Sequence, residues 1–202
     1  MIKAIQLIFE PVSTWTKIGQ DRKSVLQILL MFLTPLIVLS VGAEVASILY
    51  LHKYRNVDGI LTIPQTRLML YIAAQFFGSY LMVFVAAVVL RTMARSFHPR
   101  HYFGQCFTLA AYSYSPFFLF RMCDAIPSVN PWASFILGAL FIIATVYYGV
   151  PSVLIPDPPN AFGIYLMSAL LLTGIAGILR LLTLLLLTGK IGILNSDALY
   201  RY

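Results

Sequence analysis

Long runs of apolar residues restrict this chain to a membrane more strongly than any other feature of its sequence. Each run is about as long as the roughly 20 residues that a helix needs to cross a bilayer, and none alternates polar with apolar residues as a barrel strand does. The runs are Val25 to Tyr50, Thr66 to Ala94, Phe103 to Met122, Trp132 to Ile155 and Ala161 to Thr188. Only 10% of all residues are charged, against about 25% in soluble domains. We therefore predict an all-α polytopic membrane protein, a bundle of five transmembrane helices.

These spans divide the chain into a cytoplasmic or interfacial N-terminal segment (1–24), a transmembrane domain (25–190) and a short tail (191–202). Lys17, Arg22 and Lys23 cluster before the first span. This favours a cytoplasmic N-terminus, because segments that flank membrane spans on the cytoplasmic side carry an excess of Lys and Arg. A signal peptide with its cleavage site is another interpretation of this region, because the basic pair Arg22-Lys23 precedes the apolar run Val25 to Leu39 and the small residues of Val41-Gly42-Ala43 follow it. Because the apolar run continues to Tyr50, we expect an uncleaved span instead.

The N-terminal segment has the composition of a helix that lies on a membrane surface. Ile2, Ile5 and Phe9 can share one helical face, and Trp15 follows them. Tryptophan is enriched at the level of the lipid headgroups. We expect this segment to lie along the interface.

Three prolines lie inside the predicted spans: Pro35, Pro116 and Pro151. A proline lacks its own donor and frees the carbonyl four residues earlier, so each predicts a kink. Two of the freed carbonyls belong to Tyr112 and Tyr147. In lipid a freed carbonyl needs a partner, so these surfaces are expected to face protein or trapped water.

A polar stripe runs down one face of the third span. Thr108, Tyr112 and Ser115 follow one another at helical spacing. Hydroxyl side chains of this kind commonly serve helix packing in membrane bundles. The alternative is that they line a binding cavity.

Charged residues at membrane depth form a second candidate feature, because such charges usually face the interior of a bundle. Glu44 and Arg180 lie at similar depth in two spans of the same direction and could pair. Arg121 and Asp124, three residues apart, could form a second pair. One interpretation is an ion, proton or headgroup site; the other is a buried salt bridge that fixes helix register, or snorkelling to the interface. The candidate binding cluster comprises Glu44, Tyr112, Ser115, Arg121, Asp124, Tyr147 and Arg180.

The sequence lacks the patterns of a catalytic, cofactor or metal site. His98 and His101 with Cys106 could suggest a metal, but Pro99 interrupts their spacing and no carboxylate is near. There is no nucleophile elbow and no phosphate-binding glycine loop. We expect no enzyme activity, no cofactor and no metal. The net charge of +7 is expected to serve anionic headgroups rather than nucleic acid.

Three short motifs in this order resemble the Yip family (Ypt-interacting proteins), in its bacterial inner-membrane branch. They are "FEPVSTWTKI" at Phe9–Ile18, "MARSFHPRHYFGQCFTLAAYSYSPFFL" at Met93–Leu119 and "YYGVPSVL" at Tyr147–Leu154. The resemblance implies a cytoplasmic N-terminus and a compact five-helix bundle. Eukaryotic relatives are linked to Rab GTPases, but their long acidic N-terminal regions are missing here, so a Rab-type partner is not expected.

Two functions remain open at this stage. The first is a non-enzymatic interaction or scaffold protein that acts on membrane organisation through helix contacts and lipids, as a homo-oligomer or with another membrane protein. Small residues support it, because their spacing allows close helix approach; they are Ala169, Thr173 and Gly177, and Ser134 with Gly138. The alternative is a small-solute or ion permease that uses Glu44 and Arg180.

Overall fold

The computed structural model describes residues 2–21, 23–51, 63–97, 102–156, 159 and 161–188. All regular structure in these ranges is helical. The α-helices are α1 (Ile2–Phe9), α2 (Pro11–Gln20), α3 (Val25–Ile28), α4 (Thr34–Tyr50), α5 (Gln65–Phe97), α6 (Phe103–Ser113), α7 (Ser115–Arg121), α8 (Pro131–Gly149) and α9 (Ala161–Leu187). Two π-helical turns, Leu29–Leu33 and Val150–Leu154, and one 3₁₀ turn, Met122–Ala125, connect or extend them. The predicted tail (191–202) lies outside the described residues.

Within the described ranges, four helices are long and apolar enough to cross a membrane. They are Val25–Tyr50, Gln65–Arg95, Pro131–Leu154 and Ala161–Leu187, and their ends agree with four predicted spans to within one residue. The remaining predicted span, Phe103 to Met122, is divided into α6 and α7, of 11 and 7 residues. Neither is long enough to cross alone, so the count of five stays a prediction.

The prolines coincide with breaks in regular α-helical hydrogen bonding. The π-helical turn Leu29–Leu33 ends shortly before Pro35, and the Thr34 hydroxyl donates to the Leu29 carbonyl at 2.8 Å. Pro151 lies inside the second π-helical turn. In a π-helical turn the backbone hydrogen bonds join residues five apart instead of four, so the turn holds one more residue than an α-helical turn. The bend at each proline remains a prediction.

The break between α6 and α7 shows how a freed carbonyl is satisfied. Pro116 lies in the first turn of α7, so the Tyr112 carbonyl loses its usual donor. The Ser115 hydroxyl donates to that carbonyl at 2.7 Å. The expected protein partner is therefore present, and it comes from the neighbouring residue.

Helices α6 and α7 occupy the centre of the bundle. α6 packs against α5 and α8, and α7 against α4 and α8. Their side chains are among the most deeply buried of the described residues; examples are Phe107, Ala110, Phe117 and Phe118, together with Tyr114 between the two helices. Broken helical backbone is tolerated at membrane depth only where protein or water surrounds it. The central position thus explains why the interrupted span carries the serines, the tyrosines and Pro116.

The N-terminal helices pack onto the bundle through Leu7 and Trp15, and not through the face that carries Ile5 and Phe9. Leu7 and Trp15 are buried, whereas Ile5 and Phe9 are exposed. Trp15 is not at the protein surface: its ring lies against Gly149, where an added Cβ would stand 2.7 Å from the indole. A glycine leaves the room that this ring requires. An interfacial position for the exposed face of α1 stays a prediction.

Candidate functional site

Four charged side chains meet inside the bundle, and we call them the ionic cluster: Glu44, Arg121, Asp124 and Arg180. Each is at most 4% exposed. They come from α4, α7, the 3₁₀ turn and α9, so distant parts of the sequence converge here. Two carboxylates face two guanidinium groups, and the formal charges of these four residues balance.

One half of the cluster joins α9 to the start of α8. Arg180 Nη2 contacts Asp124 Oδ2 at 2.6 Å and also donates to the Pro131 carbonyl at 2.9 Å. The Ser134 hydroxyl donates to the other carboxylate oxygen of Asp124. Buried charges are tolerated when they are paired and hydrogen-bonded. Both oxygens of Asp124 meet this condition, whereas Arg180 Nε and Nη1 have no hydrogen-bond partner among the described residues. This half joins the C-terminal part of α9 to the 3₁₀ turn and to the start of α8.

The other half joins α4 to α5. The Tyr71 hydroxyl donates to Glu44 Oε1 at 2.7 Å, and Gln75 Nε2 donates to Glu44 Oε2 at 3.2 Å. One turn beyond Glu44, the Ser47 hydroxyl donates to the Ala125 carbonyl. Hydrogen bonds to a charged acceptor are stronger than neutral ones. Glu44 is therefore held by a donor pair from one face of α5.

Arg121 is buried within electrostatic reach of both halves. Its charge interacts with Glu44 and Asp124 and is opposed by Arg180. Among the described residues, its Nη2 atom has no hydrogen-bond partner although it is buried. Arg121 thus links the halves electrostatically while keeping one donor unused.

The structure brings four of the seven candidate residues together. A pair between Glu44 and Arg180 was one possibility from the sequence, and in the structure Arg180 forms its ion pair with Asp124. Arg121 and Asp124, the second possible pair, are close enough for their charges to interact. The chain leaves the α-helix after Arg121 and enters a 3₁₀ turn, which places Asp124 beside the start of α8.

The other three candidates lie elsewhere. Tyr112 packs between Phe32 and Trp15, with ring centroids 4.2 and 6.2 Å away. Ser115 is occupied by the Tyr112 carbonyl. Tyr147 is exposed beside Tyr165 and lines a groove of about 440 Å³.

Sequence reasoning missed several side chains of the site. Tyr71 and Gln75 stand one turn apart on α5, followed by Ser79, and all three are buried. This polar stripe at helical spacing was the available signal. Tyr114, whose hydroxyl donates to the Leu172 carbonyl at 2.8 Å, gave no signal beyond its place among other tyrosines.

No group of His, Cys, Asp and Glu side chains suited to a metal occurs in the described part of the chain. His98 and His101 lie outside that part. Among the described residues, guanidinium, hydroxyl and amide groups donate to its carboxylates. This chemistry is that of an internal polar network.

Apolar helices of spanning length around a buried polar network define an integral, polytopic helical membrane protein. The sequence model of the Yip1 domain family matches residues 5–181. The chain belongs to the Yip family, as its three motifs suggested. No curated protein and no solved structure matches the chain at a significant level.

Proposed function

We propose that this chain is a non-enzymatic scaffold of a bacterial inner membrane, with a cytoplasmic N-terminus, that organises the membrane through helix contacts and lipids. The ionic cluster supports this proposal by its geometry. Its side chains bind one another and connect α4, α5, α8 and α9. In this function they fix helix register, and partners meet the outer surface.

The small residues divide into internal and external sets. A Cβ on Gly138 would stand 3.2 Å from the Phe117 Cα atom, and one on Gly177 would stand 3.4 Å from the Phe135 ring. Gly138 is therefore required for close packing inside this chain, and Gly177 also faces a residue of this chain. Gly42 has no atom within 4 Å of its Cβ position, and it is exposed with Ala46 one turn later.

The observation that carries the proposal is the shallow groove around Gly42 and Ala46. The groove has a volume of about 350 Å³ and is walled by Val38, Leu49 and Phe76. Small residues one turn apart let a second helix approach closely in a bilayer. We infer that a transmembrane helix, from a second copy or another membrane protein, packs here.

Crosslinking in membranes tests this contact. A photo-crosslinker at Ala46 is expected to capture one stable partner, and Gly42→Ile is expected to remove the product. Gly174→Ile is the matched control, because Gly174 is also an exposed helical glycine with no atom within 4 Å of its Cβ position. Equal loss in both variants, or many weak products in the unmodified chain, would contradict a defined contact.

A permease is the second candidate, and one observation favours it. Arg121 Nη2 and Gln75 Oε1 are buried in or beside the ionic cluster without a hydrogen-bond partner among the described residues. An unused guanidinium donor suits a small anion, and an unused amide oxygen suits a small cation or a water molecule. Solute or proton flux into proteoliposomes, lost in Glu44→Gln, would support the permease over the scaffold.

A further inference from the structure

A second polar feature lies at the opposite end of the first span from the ionic cluster. It is a groove of about 420 Å³ between the N-terminal helices and the bundle, which we call the lysine groove. Lys3, Lys23 and Gln27 line its polar part, and Met31, Phe32 and the Tyr112 ring line its apolar part. Its volume is within the usual range for a site that binds a small molecule.

The charges of the lysine groove favour an anion. Lys3 Nζ contacts Asp21 Oδ2 at 2.9 Å, so this lysine is neutralised within the chain. The pKa of the Asp21 carboxyl lies below its ordinary value, chiefly through the hydrogen bond and charge of Lys3, with a smaller contribution from Lys23. Two lysines against one carboxylate leave one positive charge in excess, and the exposed Lys23 provides it.

The apolar part extends from the charged end into the membrane-spanning helix. Lys23 precedes the first span, and Met31 lies eight residues further, about 12 Å along a helix. Met31 is 77% exposed, whereas Phe32 is buried against the Tyr112 ring. A ligand that fills the groove therefore meets cations at headgroup level and hydrocarbon at acyl-chain level.

We propose that the lysine groove binds one phospholipid with a net negative headgroup, its phosphate beside Lys23 and an acyl chain across Met31 and Phe32. A basic side chain just outside a span attracts anionic headgroups, and the apolar wall explains why a membrane lipid fits better than a free ion. The inference deepens the lipid-contact part of the proposed function. Its test is separate from crosslinking at Ala46, so either can fail alone.

Lipid retention by the purified full chain tests the proposal. Protein in detergent is titrated with phosphatidylglycerol, phosphatidylcholine or inorganic phosphate, and bound lipid is counted by native mass spectrometry. We expect one tightly retained phosphatidylglycerol that phosphatidylcholine does not replace. Millimolar inorganic phosphate is expected to leave it bound.

Two pairs of variants locate the site. Lys23→Gln is expected to weaken phosphatidylglycerol retention about fivefold, the size of one lysine–headgroup attraction, whereas Lys17→Gln, an exposed lysine of the same segment, leaves it unchanged. Met31→Gln is expected to weaken retention, and Met69→Gln, which alters another exposed methionine, is not. All four side chains lie at the surface or in a groove wall, and circular dichroism checks that each variant is folded.

Three results would overturn the proposal. Equal weakening in Lys23→Gln and Lys17→Gln would mean diffuse attraction to the whole segment. Displacement of the lipid by inorganic phosphate would assign the groove to a free ion. Equal retention of phosphatidylcholine would remove the role of net charge.

Discussion

The two polar regions of this protein use their charges in opposite ways. At the far end of the first span, the ionic cluster buries two carboxylates and two guanidinium groups, and the closest contacts link different helices. At the near end, the lysine groove is open and its charges outnumber their partners. In the sequence the two regions are hard to distinguish, because both consist of charged residues near the ends of predicted spans. Burial separates a structural network from a surface that is available to a ligand.

The largest effect is expected from breaking the buried ion pair. Arg180→Gln leaves Asp124 buried without its cation, and removal of one partner of such a pair typically costs about 3–5 kcal/mol. The free energy of unfolding, measured by denaturant titration in micelles, should fall by that order. Lys17→Gln, which removes an exposed charge, should change it little, and a similar small loss in both variants would contradict the importance of the cluster.

A smaller loss is expected for the donor to Glu44. Tyr71→Phe deletes one hydrogen bond to a buried carboxylate, worth about 1.5–3 kcal/mol. Tyr114→Phe deletes a bond to the Leu172 carbonyl, a neutral acceptor, and should cost only about 0.5–1.5 kcal/mol. Unfolding of both variants under the same conditions measures the difference, and the reverse order would argue against a charged Glu44 in the cluster.

At the other end, Gly149→Ala should loosen the N-terminal helices. The new Cβ would stand 2.7 Å from both the Trp15 ring and the Leu109 side chain, and overpacking of this kind costs about 1–3 kcal/mol. Hydrogen exchange should rise in α1 and α2. Gly174→Ala, in open space, should leave exchange there unchanged; equal exchange in both variants would contradict the packing of Trp15.

The smallest effect is expected from the exposed Lys3–Asp21 pair. The folded-state pKa of Asp21 is lowered, chiefly by Lys3, so the pair stabilises the fold above the unfolded pKa of about 4. That contribution is lost as the pH falls through the lower folded value. Protection of α1 and α2 from exchange should therefore decline slightly more below about pH 4 in the unmodified chain than in Asp21→Asn.

The sequence was most informative where one physical requirement dominated. The length of an apolar run fixes a spanning helix, so both ends of four predicted spans agree with the structure to within one residue. In the predicted third span, an apolar run long enough to cross the membrane also contains polar residues and a proline. Its break at Tyr114 depends on Pro116 and on the protein that surrounds it.

The partners inside the candidate site were less predictable. Depth along two spans placed Glu44 and Arg180 at similar levels, but depth does not specify which face meets which neighbour. The 3₁₀ turn after Arg121 places Asp124 beside Arg180. The Tyr71 hydroxyl and the Gln75 amide, both on α5, donate to Glu44. Tyr112 lies in the lysine groove, at the other end of the first span, because the N-terminal helices pack against it through Trp15.

The central claim is that the ionic cluster holds the helices together, and a double-mutant cycle tests it most directly. Unfolding free energies are measured for Asp124→Leu, Arg180→Met and the double variant. We predict that each single change is strongly destabilising and that the double variant recovers part of the loss, with a coupling energy of about 1–3 kcal/mol. Losses that simply add, within about 0.5 kcal/mol, would contradict the claim.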